Sequence, residues 1–141
     1  MQMTLPPFTS AEEAEMAFYR AFEANDLEAM MAVWDDAEDI VCIHPMGPAL
    51  NGRSTVIDSW REILSGGVAM RFSLEKVQIY TTDNLSIHLL NEHIDVASGN
   101  RVAPMSATNI FRLSAQGWHM VSHHASPNPG TQTAKTNPLL H

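Results

Sequence analysis

Three polar side chains are candidates for chemistry: His44, Asn109 and His124. His44 closes the short apolar run Ile40 to Ile43 and stands directly before Pro45. An imidazole, with an ordinary pKa of about 6.5, can take or give a proton near neutrality. At the end of a buried strand it would sit at a pocket mouth, where it can act as a general base. Asn109 and His124 are expected on one face of a later hairpin, as donors that could polarise a bound oxygen. The alternative for each is structural: a core histidine or amide held by backbone groups.

Other chemistries find less support. Seven histidines raise the question of zinc, and His44, His88 and His124 could converge on it. No tight spacing such as His-Glu-x-x-His accompanies them, so no metal is expected. Cys42 is the only cysteine, which excludes an internal disulfide. Inside an apolar strand it reads as a buried, inert thiol. No phosphate-cradling glycine loop, nucleophile elbow or dinucleotide fingerprint is present, and no cofactor is expected.

These residues need elements to hold them. Ser10 and Glu13 form a capping pattern at the start of a first helix. Its core stripe is Ala11, Ala14, Phe18, Ala21 and Phe22. Asn25-Asp26 separates it from a second helix with the stripe Leu27, Met30, Met31 and Trp34. Residues 40–44 are the short strand, and Pro45 to Gly52 a loop. A third helix, capped by Ser54, carries Ile57, Trp60 and Leu64 and stops at Ser65-Gly66-Gly67. Four strands follow, over 68–80, 85–96, 101–114 and 118–126. Helices followed by long antiparallel strands give an α+β domain with a curved sheet. Residues 1–8 read as an extended arm, 9–127 as the domain, and 128–141 as a flexible tail.

Register decides which strand residues meet. Tight turns centred on Gly99-Asn100 and Gln116-Gly117 would pair Ile94 with Met105, His88 with Phe111, and Asn109 with His124. One face then carries His88, Leu90, Glu92, Met105, Asn109, Phe111, Met120 and His124, as a ligand pocket requires. The other carries Ile87, Leu89, His93, Thr108, Ile110, Val121 and His123, apolar enough for a homodimer interface. A bulge would exchange His124 for His123. The expected pocket wall is Phe18, Trp34, Trp60, Met70, His88, Met105, Phe111 and Met120.

At 141 residues the chain makes one domain with a sizeable core. Its net charge of −8 argues against nucleic acid or an anionic membrane surface as partner. No apolar run is long enough for a membrane span, and no secretory signal is visible, so a cytoplasmic protein is expected.

The residues Asp26-Leu27, Trp34, Asp36, His44-Pro45, Gly47, Gly52 and Trp60, with the run Gly117 to Pro127, carry a resemblance. Over roughly residues 9–127 the chain resembles the nuclear-transport-factor-2-like (NTF2-like) superfamily, in its SnoaL-like and ketosteroid-isomerase-like branch. The resemblance implies a cystatin-like roll, a cone-shaped curved antiparallel (mixed) sheet wrapped around the N-terminal helices, that binds a hydrophobic small molecule, either as an acid–base isomerase, cyclase or dehydratase or as a non-catalytic binding or association domain. It also implies roles. His44 stands where the isomerases keep a carboxylate base, and Asn109 where they keep an acidic oxyanion donor. Their helix-one tyrosine falls at Phe18, with Tyr19 rotated about 100° away around the helix.

Overall fold

The computed structural model describes residues 8–97, 99 and 102–128. The expected arm and tail lie outside these, apart from Phe8 and Asn128. The elements run α1 (Ala11–Ala24), α2 (Leu27–Val33), β1 (Val41–Ile43), β2 (Ala49–Asn51), α3 (Arg53–Ser65), β3 (Met70–Thr81), β4 (Leu85–Val96), β5 (Met105–Ser114) and β6 (Gly117–Pro127). The strands form one open sheet in the order β2-β1-β6-β5-β4-β3. Only β1 and β6 are parallel neighbours. The helices cover the concave face, so the α+β cone stands.

Local chemistry accounts for the element ends. The Ser10 hydroxyl caps α1 by accepting from the Glu13 amide, and Asp26 caps α2 through the Ala29 amide. A seven-residue helix is marginal alone. The Arg53 guanidinium supports α2 from outside, donating to the carbonyls of Met31, Trp34 and Asp35. Two expectations fail here. Gly52, at φ 91°, precedes α3 without a side-chain cap, so Ser54 is not the N-cap. The supposed loop from Pro45 to Gly52 contains β2, which pairs with β1.

The core is Phe18, Met30, Val33, Trp34, Ile40, Val56, Trp60, Leu90, Phe111 and Met120, all essentially inaccessible. Phe18 stands edge-on to Trp60 with ring centroids 5.4 Å apart, and Phe22 lies 5.0 Å from the same indole. Trp34 continues past α2 into a bridge with Met120 on β6. The sheet is therefore locked to both N-terminal helices by aromatic side chains.

Register departs from expectation in two ways. β4 and β5 pair two residues out of the expected frame, Glu92 with Met105 and His88 with Asn109. An even shift changes partners but keeps faces. The β5–β6 turn likewise centres on Ala115-Gln116, with Ser114 opposite Gly117. A bulge then intervenes: Phe111 pairs with Met120, but Ile110 pairs with Ser122, leaving Val121 extra. Beyond it Asn109 opposes His123, and His124 turns outward.

Candidate functional site

Where α1, α3 and the sheet diverge, an apolar cleft of about 120 Å³ opens. Its walls are Phe22, Trp60, Ile63, Phe72, Ile94, Met105 and Ala125, with His44, Glu92 and His123 as its titratable groups. It is smaller than the range of about 300–1,000 Å³ typical of drug-sized ligands.

His44 reaches the cleft from the end of β1. Its backbone carbonyl accepts from the Gly47 amide at 2.8 Å, closing the turn that ends the strand. The ring lies 4.9 Å from the Trp60 indole. Its Nε2 is 2.9 Å from the Ser59 hydroxyl, which donates its own proton to the Val56 carbonyl at 2.6 Å. Ser59 Oγ therefore accepts from His44 Nε2–H, which leaves the lone pair on Nδ1. Burial lowers the His44 pKa, keeping the imidazole neutral at physiological pH. Cys42, two residues earlier, places its sulfur 3.7 Å from Nε2 and 4.0 Å from Nδ1, where its thiol is a weak donor to the lone pair. Burial pushes its thiol up to about 12, so it remains protonated.

Opposite, Glu92 is buried on the inner face of β4. The Tyr19 hydroxyl donates to its Oε2 at 2.5 Å. Burial, reinforced by the nearby Glu15 carboxylate and opposed by the Tyr19 bond, raises its pKa to about 7. The partner Tyr19 has its own pKa raised well above the usual phenol range, by burial first and then by Glu92. Tyr19 thus reaches the site that Phe18 was expected to face. Phe18 stays one layer behind, 4.8 Å from the His123 ring.

Behind the cleft runs a buried polar network. Asn109 Nδ2 donates to Glu15 Oε2 at 2.9 Å and to the Tyr19 hydroxyl at 3.1 Å. Asn109 Oδ1 lies 2.6 Å from His123 Nδ1. Glu15, on α1 and 1% exposed, is also paired with Lys76 and lies 3.1 Å from His88 Nδ1, without hydrogen-bond geometry. Burial would raise the Glu15 pKa, but contacts from His88, Asn109 and Lys76 outweigh it and hold the carboxylate ionised below its usual value. His88 Nε2 continues the chain to the Ser86 hydroxyl at 2.9 Å. Burial drives the His123 pKa down to about 3.

The expected site residues divide accordingly. His44, Trp60 and Met105 line the cleft. Asn109 supports it through His123. His124 is corrected: the bulge at Val121 places it on the convex face, exposed. His88, Phe111, Trp34 and Met120 are buried away from the cleft, His88 stacked 5.0 Å from Phe111 and Trp34 bridged to Met120. Met70 faces a separate groove between the end of α1 and β3, beside Arg20, Arg71 and Asp95. Sequence reasoning left Glu15 and Tyr19 out of the site, set Glu92 on the pocket-facing side without a role, and held His123 as the residue that a bulge would bring in. Glu15 had a signal: a carboxylate within the apolar stripe between Ala11 and Phe18 must be buried or break the stripe. Among the described residues, no group of three His, Cys, Asp or Glu is placed to hold a metal ion, and no helix is long and apolar enough to cross a membrane.

Comparison with known proteins gives the fold its relatives. A Thiobacillus denitrificans structure, provisionally described as a calcium/calmodulin-dependent protein kinase type II association domain, is 36% identical, with a TM-score of 0.82 over 89% of this chain and 99% of that one. A Streptomyces avermitilis structure, provisionally described as a dehydratase of the NTF2-like family, is 34% identical, with a TM-score of 0.74 over 82% and 91%. A ketosteroid isomerase-like protein from Erwinia carotovora atroseptica shares the fold at 20% identity and a TM-score of 0.62, over 82% and 92%. The Arabidopsis thaliana F-box protein SKIP8 is 27% identical over 109 residues, 77% of this chain; the chain spans 46% of that protein. The family model of the SnoaL-like domain matches residues 12–129. With the helix-filled cone and its two closely related structures, that match makes the chain a member of the SnoaL-like domain family, within the NTF2-like superfamily.

Proposed function

We propose that this protein is an acid–base lyase that eliminates water from a small, uncharged, largely apolar alcohol, with His44 as base and Glu92 as acid. One observation carries the reading. A single apolar cleft is bounded by an imidazole whose lone pair lies on Nδ1, with only the weak Cys42 thiol donor 4.0 Å away, and by a buried carboxyl whose pKa is raised to about 7. General acid and base catalysis works best with such pKa values. Cleft size favours a small substrate, and no Arg or Lys lines the cleft among the described residues to pair with an anion. The related Streptomyces avermitilis protein, provisionally described as a dehydratase, supports the same reaction class.

The electrons balance as follows. His44 Nδ1 takes a proton from a carbon activated by a neighbouring carbonyl. The released pair forms a carbon–carbon double bond, and the C–O bond at the adjacent carbon breaks. Glu92 gives its proton to the departing oxygen, so water leaves. Both residues return to their starting states by proton exchange with solvent.

A β-hydroxycyclohexanone is a suitable probe, because its enone product absorbs in the ultraviolet. The wild type should form the enone, and His44→Ala and Glu92→Gln should each slow it by about 10²–10⁴-fold, the usual share of one acid–base group. No acceleration over buffer, or full activity in both variants, would refute the assignment.

A second reading rests on the convex sheet face. Val77 and Tyr80 are exposed there, at 58% and 57%, Val77 beside Leu89 and Thr108 and Tyr80 paired with Ile87. Such a surface suits a homodimer, and the Thiobacillus denitrificans protein is provisionally described as an association domain. The two readings are compatible, because they use opposite faces of the sheet.

A further inference from the structure

His123 is buried at 3% exposure, yet it lines the cleft beside Glu92. Its tautomer follows from counting donors and acceptors. Glu15 is ionised and can only accept, so the Asn109 group facing it must be the NH₂. The Tyr19 hydroxyl, its proton committed to Glu92, accepts from the same NH₂. Asn109 Oδ1 therefore faces His123 and can only accept, so His123 Nδ1 carries the ring proton. Its Nε2 keeps a lone pair, has no hydrogen-bond partner among the described residues, and is not sealed in the core. A bare acceptor at the edge of an apolar cleft, supported by a chain of fixed hydrogen bonds, is incomplete without a donor. Glu15 and Asn109 are thus positioning residues, reaching the cleft through His123 on one side and through Tyr19 and Glu92 on the other.

We propose that His123 Nε2 is the specificity-determining acceptor of the cleft, receiving the hydroxyl proton of the substrate alcohol while Glu92 addresses the same oxygen. The inference rests on reading the cleft as an alcohol site. It adds the group that separates alcohols from ketones of equal size. A ketone can accept from Glu92, but it has nothing to donate to Nε2.

The test is an NMR titration of the wild type with cyclohexanol and with cyclohexanone, below the pH at which Glu92 loses its proton. Cyclohexanol should bind about tenfold more tightly, one hydrogen bond's share. The ¹⁵N signal of His123 Nε2 should be that of an unprotonated ring nitrogen and should move with the alcohol alone. His123→Phe should erase the preference. Equal affinity for the two probes, or a proton on Nε2 in the free wild type, would overturn this inference and leave the lyase assignment standing. If neither probe binds, the alcohol site itself falls, and this inference with it.

Discussion

His123 and His124 are neighbours in the chain and opposites in the fold. On the concave face, His123 is packed against Phe18 and Trp60, hydrogen-bonded to Asn109 and kept neutral by burial. On the convex face, His124 is exposed beside Val77, Leu89 and Thr108. The same contrast extends across the sheet. The inner face buries Glu92, Asn109, His88 and His123, linked to one another and to Glu15 of α1 by hydrogen bonds and close contacts, whereas the outer face carries scattered apolar side chains. Burying polar groups costs stability unless they are paired. Such a concentration on one face is what the proposed acid–base cleft requires of the interior, and the proposed second copy would lie on the exterior.

The largest effect that would break this contrast comes from Glu15. Glu15→Ala leaves one Asn109 N–H and the His88 ring without their buried acceptor, while the half-exposed Lys76 falls back on solvent, and should cost about 1–3 kcal/mol in urea unfolding, as for a buried polar group left unpaired. A loss under about 1 kcal/mol would mean that the network is not cooperative.

The pH dependence of stability should sharpen it next. Glu92 has a raised folded pKa, so its contribution is fully present below its unfolded value and is lost as pH rises towards about 7. His123 has a depressed folded pKa, so its neutral burial is favourable above about 6.5 and is lost as pH falls towards about 3. Between the unfolded carboxylate value and the unfolded imidazole value the two slopes oppose each other and flatten the profile. Glu92→Gln should expose the His123 slope, with stability falling on acidification from neutrality. A profile unchanged by that substitution would remove Glu92 from the titrating set.

On the convex face, Val77→Glu should leave the fold intact but convert a homodimer to monomer in light scattering, since a charge would be buried in the interface. A wild type that is already monomeric at micromolar concentration contradicts the dimer. The smallest effect belongs to His124→Ala. With an exposed side chain it should shift stability by no more than about 0.5 kcal/mol and leave turnover of the hydroxyketone unchanged.

Much of the architecture could be read from pattern alone. The helix stripes, the breaks at Asn25-Asp26 and Gly66-Gly67, and four long strands after the third helix all correspond to observed elements. Face assignments survived two even register shifts, because side-chain alternation has period two. They failed at one residue, Val121, where a bulge with no composition cue reversed the rest of β6. That single residue separates His124 from the site and puts His123 into it. Tyr19 was misplaced for a different reason. A rotation of about 100° around α1 still leaves a long side chain within reach of the sheet, because the cone curves around the helix. Trp34, Met70 and His88 show the remaining limit: a shared strand or stripe does not say where the cleft opens.

The account rests on a proton held by Glu92 and a lone pair held by His44 in one cleft at neutral pH. The direct test is an NMR titration of both side chains in the same sample, following the Glu92 carboxyl carbon and the His44 ring nitrogens. Glu92 should titrate near 7, and His44 below its ordinary value with its proton on Nε2. A Glu92 that titrates as an ordinary carboxylate, or a His44 that is charged at neutral pH, would contradict the account.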